Sequence, residues 1–211
     1  MVLENFYCLT INDQRYYELC DNFSKYGLPR PIRFEGLYNP DKLERCCLFG
    51  HMCLIMMARC LDLPYIFIFE DDAYPRKDVV KKLEYYIENR PSDCGVLVVG
   101  RNGEAGEIIK RGDYHIVMHR PFGAHAYCVY KSAYTELLDS MEKTRIADIA
   151  LKGENFKETK PYWTNEYLFI QKNIDSNCMS QNLVNKYGKY FYPAKNGGLG
   201  VFNVLPDGNW E

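Results

Sequence analysis

The chain opens on an apolar block and then changes period. Residues 4–11 carry aromatic and β-branched side chains in the manner of a buried strand, and the polar run Asn12-Asp13-Gln14-Arg15 predicts the turn that ends it. Tyr16, Leu19, Cys20 and Phe23 then recur at helical spacing as one inner stripe, with Gly27 and Pro29 marking the stop. Residues 32–37 predict a second short strand. Asn39-Pro40-Asp41 predicts a helix start, with Asp41 as N-cap and Glu44 three residues on completing a capping box. The helix over 42–61 is apolar on most of its faces through Leu48, Phe49, Met52, Leu54, Ile55, Met56 and Met57, which predicts a position inside the domain. Pro64 stops it.

Residues 65–69, YIFIF, are continuously apolar and predict a strand buried on both faces. That strand runs directly into Glu70, Asp71 and Asp72, three carboxylates that repel one another and call for a compensating positive group. A helix over 78–89 and a second fully buried strand over 95–100 repeat the alternation. The pattern predicts an α/β fold with a central, mostly parallel sheet flanked by helices. Residues 101–112 are Gly-rich and charged, as in a mobile loop. Strands are expected over 115–118 and 124–130, a helix over 132–141, and an irregular aromatic tail from 186 on. With no repeat or composition break, residues 1–211 read as a single domain.

Charge and composition narrow the classes of function. Twenty-six basic against 28 acidic residues leave a net charge of -2, which removes the bulk positive field that nonspecific nucleic-acid binding needs. Hydrophobic residues at 47% and charged ones at 26% are the balance of a soluble globular protein. No run approaches the roughly 18 apolar residues of a bilayer span, and Glu4 stands where a leader would carry basic residues. The expectation is a cytoplasmic protein. Lys77, Lys81 and Lys82 could touch an anionic membrane leaflet from its inner face, or form a solvated helix face. Nine cysteines without a CxxC pair predict reduced, buried thiols. Cys47 and His51 are one helical turn apart, yet zinc would need further ligands that the spacing does not supply.

The acidic strand end is the main candidate for chemistry. In open α/β sheets ligands bind beyond the carboxyl ends of the strands. Carboxylate oxygens there suit Mg²⁺ or Mn²⁺, leaving coordination positions for the phosphates of a nucleoside diphosphate compound. The competing reading is a helix cap or a solvated strand end.

The segment LFGHMCLIMMARCLDLPYIFIFEDDAY resembles the core of the glycosyltransferase family 25 enzymes, typified by bacterial lipooligosaccharide galactosyltransferases. In that family a Gly-Cys-x-x-Ser-His segment opens a helix leading to an apolar strand that ends in Glu-Asp-Asp. Cys47 and His51 match, whereas Cys46 and Gly50 stand in place of Gly and Ser. Gly123-Ala-His-Ala-Tyr127, Lys131-Ser132-Ala133, Leu137-Leu138, Ile146-Ala147-Asp148, Phe169-Ile-Gln171 and Ser180 are similar to later elements of the family. The resemblance implies a GT-A fold and inverting transfer of a hexose, galactose in the typical case, from a UDP-sugar to a glycan or glycolipid acceptor such as lipooligosaccharide. It implies Mn²⁺ or Mg²⁺ on Asp72 and Glu70, and donor contacts from Glu70 and Asp71. Thr10 and Arg15 flank the first strand's end, where the family places the nucleotide; Arg15 could equally be a surface charge. Asp148 matches the family's aspartate and is the candidate base, with a helix cap as its alternative role. His125 could reach a phosphate or the metal, or be a satisfied histidine; His51 reads as a hydrogen-bonded core residue, with donor contact as the alternative. Two other functions share these residues: a nucleotidyltransferase, and a nucleotide- or glycan-binding protein without turnover.

Overall fold

The computed structural model describes residues 3–100, 103–104, 107–118 and 121–171. In chain order the first part comprises β1 (Phe6–Thr10), α1 (Asp13–Lys25), β2 (Ile32–Glu35), α2 (Leu43–Cys60), β3 (Tyr65–Glu70), β4 (Ala73–Pro75), α3 (Val79–Glu88) and β5 (Cys94–Val98). The second part comprises β6 (Gly103–Glu104), β7 (Ile108–Arg111), β8 (Tyr114–Val117), β9 (Pro121–Phe122), β10 (Ala126–Tyr130), α4 (Tyr134–Thr144), α5 (Ala147–Ala150), β11 (Lys160–Thr164) and β12 (Phe169–Gln171). Eight strands make one sheet in the order β2-β1-β3-β10-β5-β11-β8-β7. Six run in one direction, and β10 and β8 oppose them. The expected mostly parallel α/β architecture is therefore observed, with one antiparallel strand, β10, inserted between β3 and β5.

The apolar run of β3 has the cause expected from its sequence, since β1 and β10 cover both its edges and helices cover both its faces. Phe67 and Phe69 join Phe6, Phe23 and Phe169 on one face, with ring centroids 4.7 to 6.4 Å apart. Ile66 and Ile68 face the other way, into a core completed by Leu54, Ile55 and Ala58 of α2 and by Tyr127 and Trp163. Each residue of 66–69 is fully buried. The inner stripe of α1, Tyr16, Leu19, Cys20 and Phe23, is likewise buried as its spacing requires.

Several local expectations are corrected. The described residues leave part of helix α2 uncovered: Phe49 is 48% exposed, and Leu61 just past its end 60%, so its apolar breadth exceeds its burial among them. Its N-cap is Lys42 without a side-chain cap, and Asn39 Oδ1 accepts from the Asp41 amide at 3.0 Å, so the Asp41–Glu44 capping box does not form. Cys60, at the exposed end of that helix, is not a buried thiol, whereas Cys8, Cys20, Cys94 and Cys128 are. Within 101–112, Ile108–Arg111 is the edge strand of the main sheet, joined to β8 by a turn in which Gly112 has φ +63°. Strand β11 is not among the expected elements, and it carries Pro161, a residue disfavoured inside a central strand. The register shifts between Lys160 and Pro161, and that irregularity accommodates the proline. Ser180 and the tail from 186 lie outside the described residues.

Helix α4 is tied to the start of β11 through Glu136. Its carboxylate accepts from the amides of Lys157, Glu158 and Thr159 and from Thr159 Oγ1. Burial opposes the charge, but these donors outweigh it and hold the pKa at about 2. Because the folded value is below the unfolded one, the stabilisation is present above the unfolded carboxylate range and is lost as pH falls toward about 2. Glu136→Gln should cost about 1–3 kcal/mol at neutral pH. Urea titrations across pH should show the gap from wild type closing in acid; a gap independent of pH would contradict the charged role.

Candidate functional site

Parallel strands β1 and β3 end side by side, with Leu9 in register with Glu70. The turn after β1 starts α1 immediately, because Asn12 adopts extended backbone and its Oδ1 accepts from the Arg15 amide at 3.1 Å. Arg15 is thereby held in the first helical turn, facing the acids beyond β3. Its Nη2 lies 2.6 Å from Asp71 Oδ1 and 3.3 Å from Asp72 Oδ2. Arg15 is thus the compensating cation and not a surface charge. Thr10 Oγ1 donates to Asp71 Oδ2 at 2.6 Å, so both expected residues at the end of β1 meet the acidic segment.

The three carboxylates have different surroundings. Burial pushes the Asp71 carboxyl up, against the lowering effect of Thr10 and Arg15. Asp72 is pushed up to about 7, first by burial and then by the charge of Glu70. Gln171 Nε2 donates to Asp72 Oδ2 at 2.8 Å, while Asp72 Oδ1 is buried and accepts no hydrogen bond from the described residues. Glu70 belongs to the other face of the sheet. Its Oε1 is 3.1 Å from His51 Nε2, and Cys47 Sγ donates to the same oxygen at 3.7 Å. Burial opposes the Glu70 charge, but the His51 contact leads the effects that bring its pKa below the ordinary value.

His51 is a core histidine with no exposed surface, as its apolar helix predicts, yet both its partners are polar. Tyr127 Oη lies 2.8 Å from His51 Nδ1, completing a buried chain from β10 through α2 to the end of β3. Gly50, in place of the family's Ser, has a packing reason: a Cβ there would meet Leu9 Cδ1 at 2.6 Å. His125 is fully buried, with Nε2 3.4 Å from the Phe169 carbonyl and Nδ1 without a partner among the described residues. Gly100 makes room for it, since a Cβ there would lie 2.5 Å from His125 Nε2. Burial lowers its pKa to about 4, which keeps it neutral.

Asp148, half-buried at the start of α5, does not cap that helix. Its Oδ1 accepts from the amides of Gly123 and Ala124 at 2.9 and 2.6 Å, and burial raises its pKa despite those bonds. Of the basic cluster, Lys82 is paired with Glu166, while Lys77 and Lys81 are exposed. Gln171 and Tyr127 are the contacts that residue-by-residue reading did not single out. Both sit in segments quoted for the family resemblance, but nothing local predicts which side chain each would meet.

No protein-family model and no curated protein sequence matches the chain. Solved structures do. A glycosyltransferase involved in glycosylation of the major capsid of PBCV-1 superposes with a TM-score of 0.51 at 10% identity, over 82% of this chain and 93% of that one. Mouse xyloside xylosyltransferase 1 gives 0.43 at 9% identity, over 96% and 84%. A variant of Drosophila β1,4-galactosyltransferase 7, in complex with manganese, UDP-Gal and xylobiose, gives 0.41 at 12% identity, over 95% and 85%. The chain has a glycosyltransferase fold of the GT-A type, as the first likeness shows. These neighbours do not single out family 25.

Replacing Asp72 by Asn should expose the cost of its charge. Because the folded pKa is raised, wild type loses stability as pH climbs toward and past about 7. In chelator, Asp72→Asn should therefore be the more stable protein above that pH, by about 1 kcal/mol or roughly 2–4 °C in Tm. The advantage should shrink as pH falls toward the unfolded carboxylate range. A variant less stable than wild type at every pH would show that the carboxylate is fully compensated.

Proposed function

We propose that the chain is an inverting glycosyltransferase that moves a hexose from a UDP-sugar to a hydroxyl of a glycan or glycolipid, using Mn²⁺ or Mg²⁺. The observation that carries this reading is the buried Asp72 Oδ1, without a partner among the described residues, beside Arg15, Thr10 and Asp71, at the carboxyl ends of adjacent parallel strands in a glycosyltransferase fold. Such an oxygen fits a hard divalent cation, which is the donor chemistry expected of Mg²⁺ or Mn²⁺. Asp72 holds the ion in this reading. Glu70 contributes its charge from the neighbouring position, its Oε1 being engaged by His51 and Cys47. When bound, the cation neutralises charge that develops on the diphosphate leaving group. Galactose as the sugar and lipooligosaccharide as the acceptor rest on the family 25 resemblance.

Within this reading Thr10 and Asp71 form the floor under the nucleotide, and Arg15, paired with Asp71 and Asp72, adds its positive charge near the diphosphate. Inversion needs a single displacement, hence an in-line arrangement of donor and acceptor and one general base. Asp148 is that base. Burial raises its proton affinity, and the two amide bonds fix the carboxylate through Oδ1. His125, neutral and under Gly100, supports the floor near Glu70.

Calorimetry with UDP and Mn²⁺ tests the binding half, and transfer or slow hydrolysis of UDP-sugars tests the chemistry. UDP should bind with Mn²⁺ and lose that affinity in chelator; equal affinity in both would end the metal assignment. Asp72→Asn should weaken both binding and transfer. Asp148→Asn retains an acceptor for the Gly123 and Ala124 amides, so UDP binding should persist while transfer falls by roughly 10²–10⁴-fold. Tight UDP binding with no turnover of any nucleotide sugar would instead mark a binding protein.

A further inference from the structure

Cys47, His51 and Glu70 bring one thiol, one imidazole nitrogen and one carboxylate oxygen to a common point. The three potential ligand atoms lie within 4.8 Å of one another. Cys47 and His51 are four residues apart on α2, so they project from one face of the helix a turn apart. Glu70 supplies from the end of β3 the third ligand that sequence spacing could not. We infer that these three residues form a zinc site and are its ligands among the described residues.

The distances agree with that use. Ligand atoms around tetrahedral zinc are separated by about 3.4–3.6 Å, given bonds of about 2.0–2.3 Å. Here Nε2 to Oε1 is 3.1 Å and Sγ to Oε1 is 3.7 Å, each a few tenths of an ångström from those values, and Sγ and Nε2 lie within 4.8 Å of each other. The ligand set, one thiolate, one imidazole and one carboxylate, favours Zn²⁺ over Mg²⁺ or Mn²⁺. Charge closes as well: a Cys47 thiolate, neutral His51 and the Glu70 carboxylate balance a dication. The thiol proton leaves to solvent as the metal binds. Cys47 and Glu70 are half-buried, which provides a path for entry, whereas His51 has no exposed surface.

The surroundings of His51 are those of a metal ligand. Its remote nitrogen, Nδ1, is held by Tyr127 Oη at 2.8 Å, and second partners of this kind fix the ring and its tautomer at metal sites. Without metal, Nε2–H donates to Glu70 and Nδ1 accepts from the tyrosine. With metal, the proton sits on Nδ1 and is donated to Tyr127, leaving the Nε2 lone pair for the ion. A phenol hydroxyl serves in either role without moving its oxygen. Neither arrangement involves Asp72; Glu70 is shared with the proposed transfer site, but the zinc assignment rests on the geometry of its own three ligands.

Cobalt reports on this site directly. The full chain, stripped with chelator and titrated with Co²⁺ alone, should develop a thiolate-to-cobalt charge-transfer band that saturates at a single equivalent. Zn²⁺ should bleach the band, and Mg²⁺ and Mn²⁺ should not. Cys47→Ser should abolish it, while Cys46→Ser and Cys60→Ser should retain it. Tyr127→Phe, which leaves all three ligands in place, should weaken Zn²⁺ binding about 10–100-fold. Circular dichroism would confirm that each variant is folded, and Glu70→Gln with lowered affinity gives a second route should Cys47→Ser fail to fold. Absence of a thiolate band in the wild type, or its persistence in folded Cys47→Ser, would overturn the assignment.

Discussion

Where the apolar strand β3 stops, the carboxylates of Asp71 and Asp72 meet the guanidinium of Arg15, and the geometry of the site depends on that meeting. Carboxylates crowded at the buried end of a strand would otherwise repel one another in a medium that screens poorly. One guanidinium serves both aspartates, with Glu70 close enough to add its own repulsion. Burial first, and then the charge of Glu70, push Asp72 up to about 7 against the lowering effect of Gln171 and Arg15, so the acid is undercompensated. An undercompensated acid at the mouth of a sheet is costly to the fold and useful to a cation-dependent activity.

Arg15 can act there because of what precedes it. Strands β1 and β3 pair in parallel, so their carboxyl ends lie together, and the Asn12 cap starts α1 without a spacer. The aromatic cluster beneath α1, with Phe6, Phe23 and Phe69 in mutual contact, fixes the helix against the sheet. A close-packed aromatic core transmits its rigidity to the charged groups at its edge. The acids are held in place by hydrophobic packing and tuned by hydrogen bonds.

The sheet also divides the acidic segment. Successive side chains of a strand face opposite layers, so Glu70 enters the layer of α2 while Asp71 meets α1. The antiparallel insertion of β10 beside β3 then delivers Tyr127 to His51 and puts His125 close to Glu70. A wholly parallel sheet would have directed these residues elsewhere. The direction reversal at one strand thus decides which polar groups surround the acids.

Much of the fold was legible along the chain, because periodicity and punctuation are local properties. The burial of 65–69, the inner stripe of α1 and the stop signals at Gly27 and Pro64 follow from residues within a turn or two of one another. The need for a positive group opposite Glu70, Asp71 and Asp72 was equally plain from Coulomb repulsion. Which group supplies it was not, since Arg15 precedes Asp71 by many residues and only the pairing of β1 with β3 joins them. For the same reason, that Asp148 accepts from Gly123 and Ala124, Glu70 from Cys47 and His51, and Asp72 from Gln171 was decided by tertiary structure alone. Strand β11 carries Pro161, whose cost is local but whose accommodation lies in a register shift against β5. The sequence by itself determined the elements and the chemistry they carry; strand order and direction, set by how two hydrophobic layers close over one sheet, decided which side chains meet.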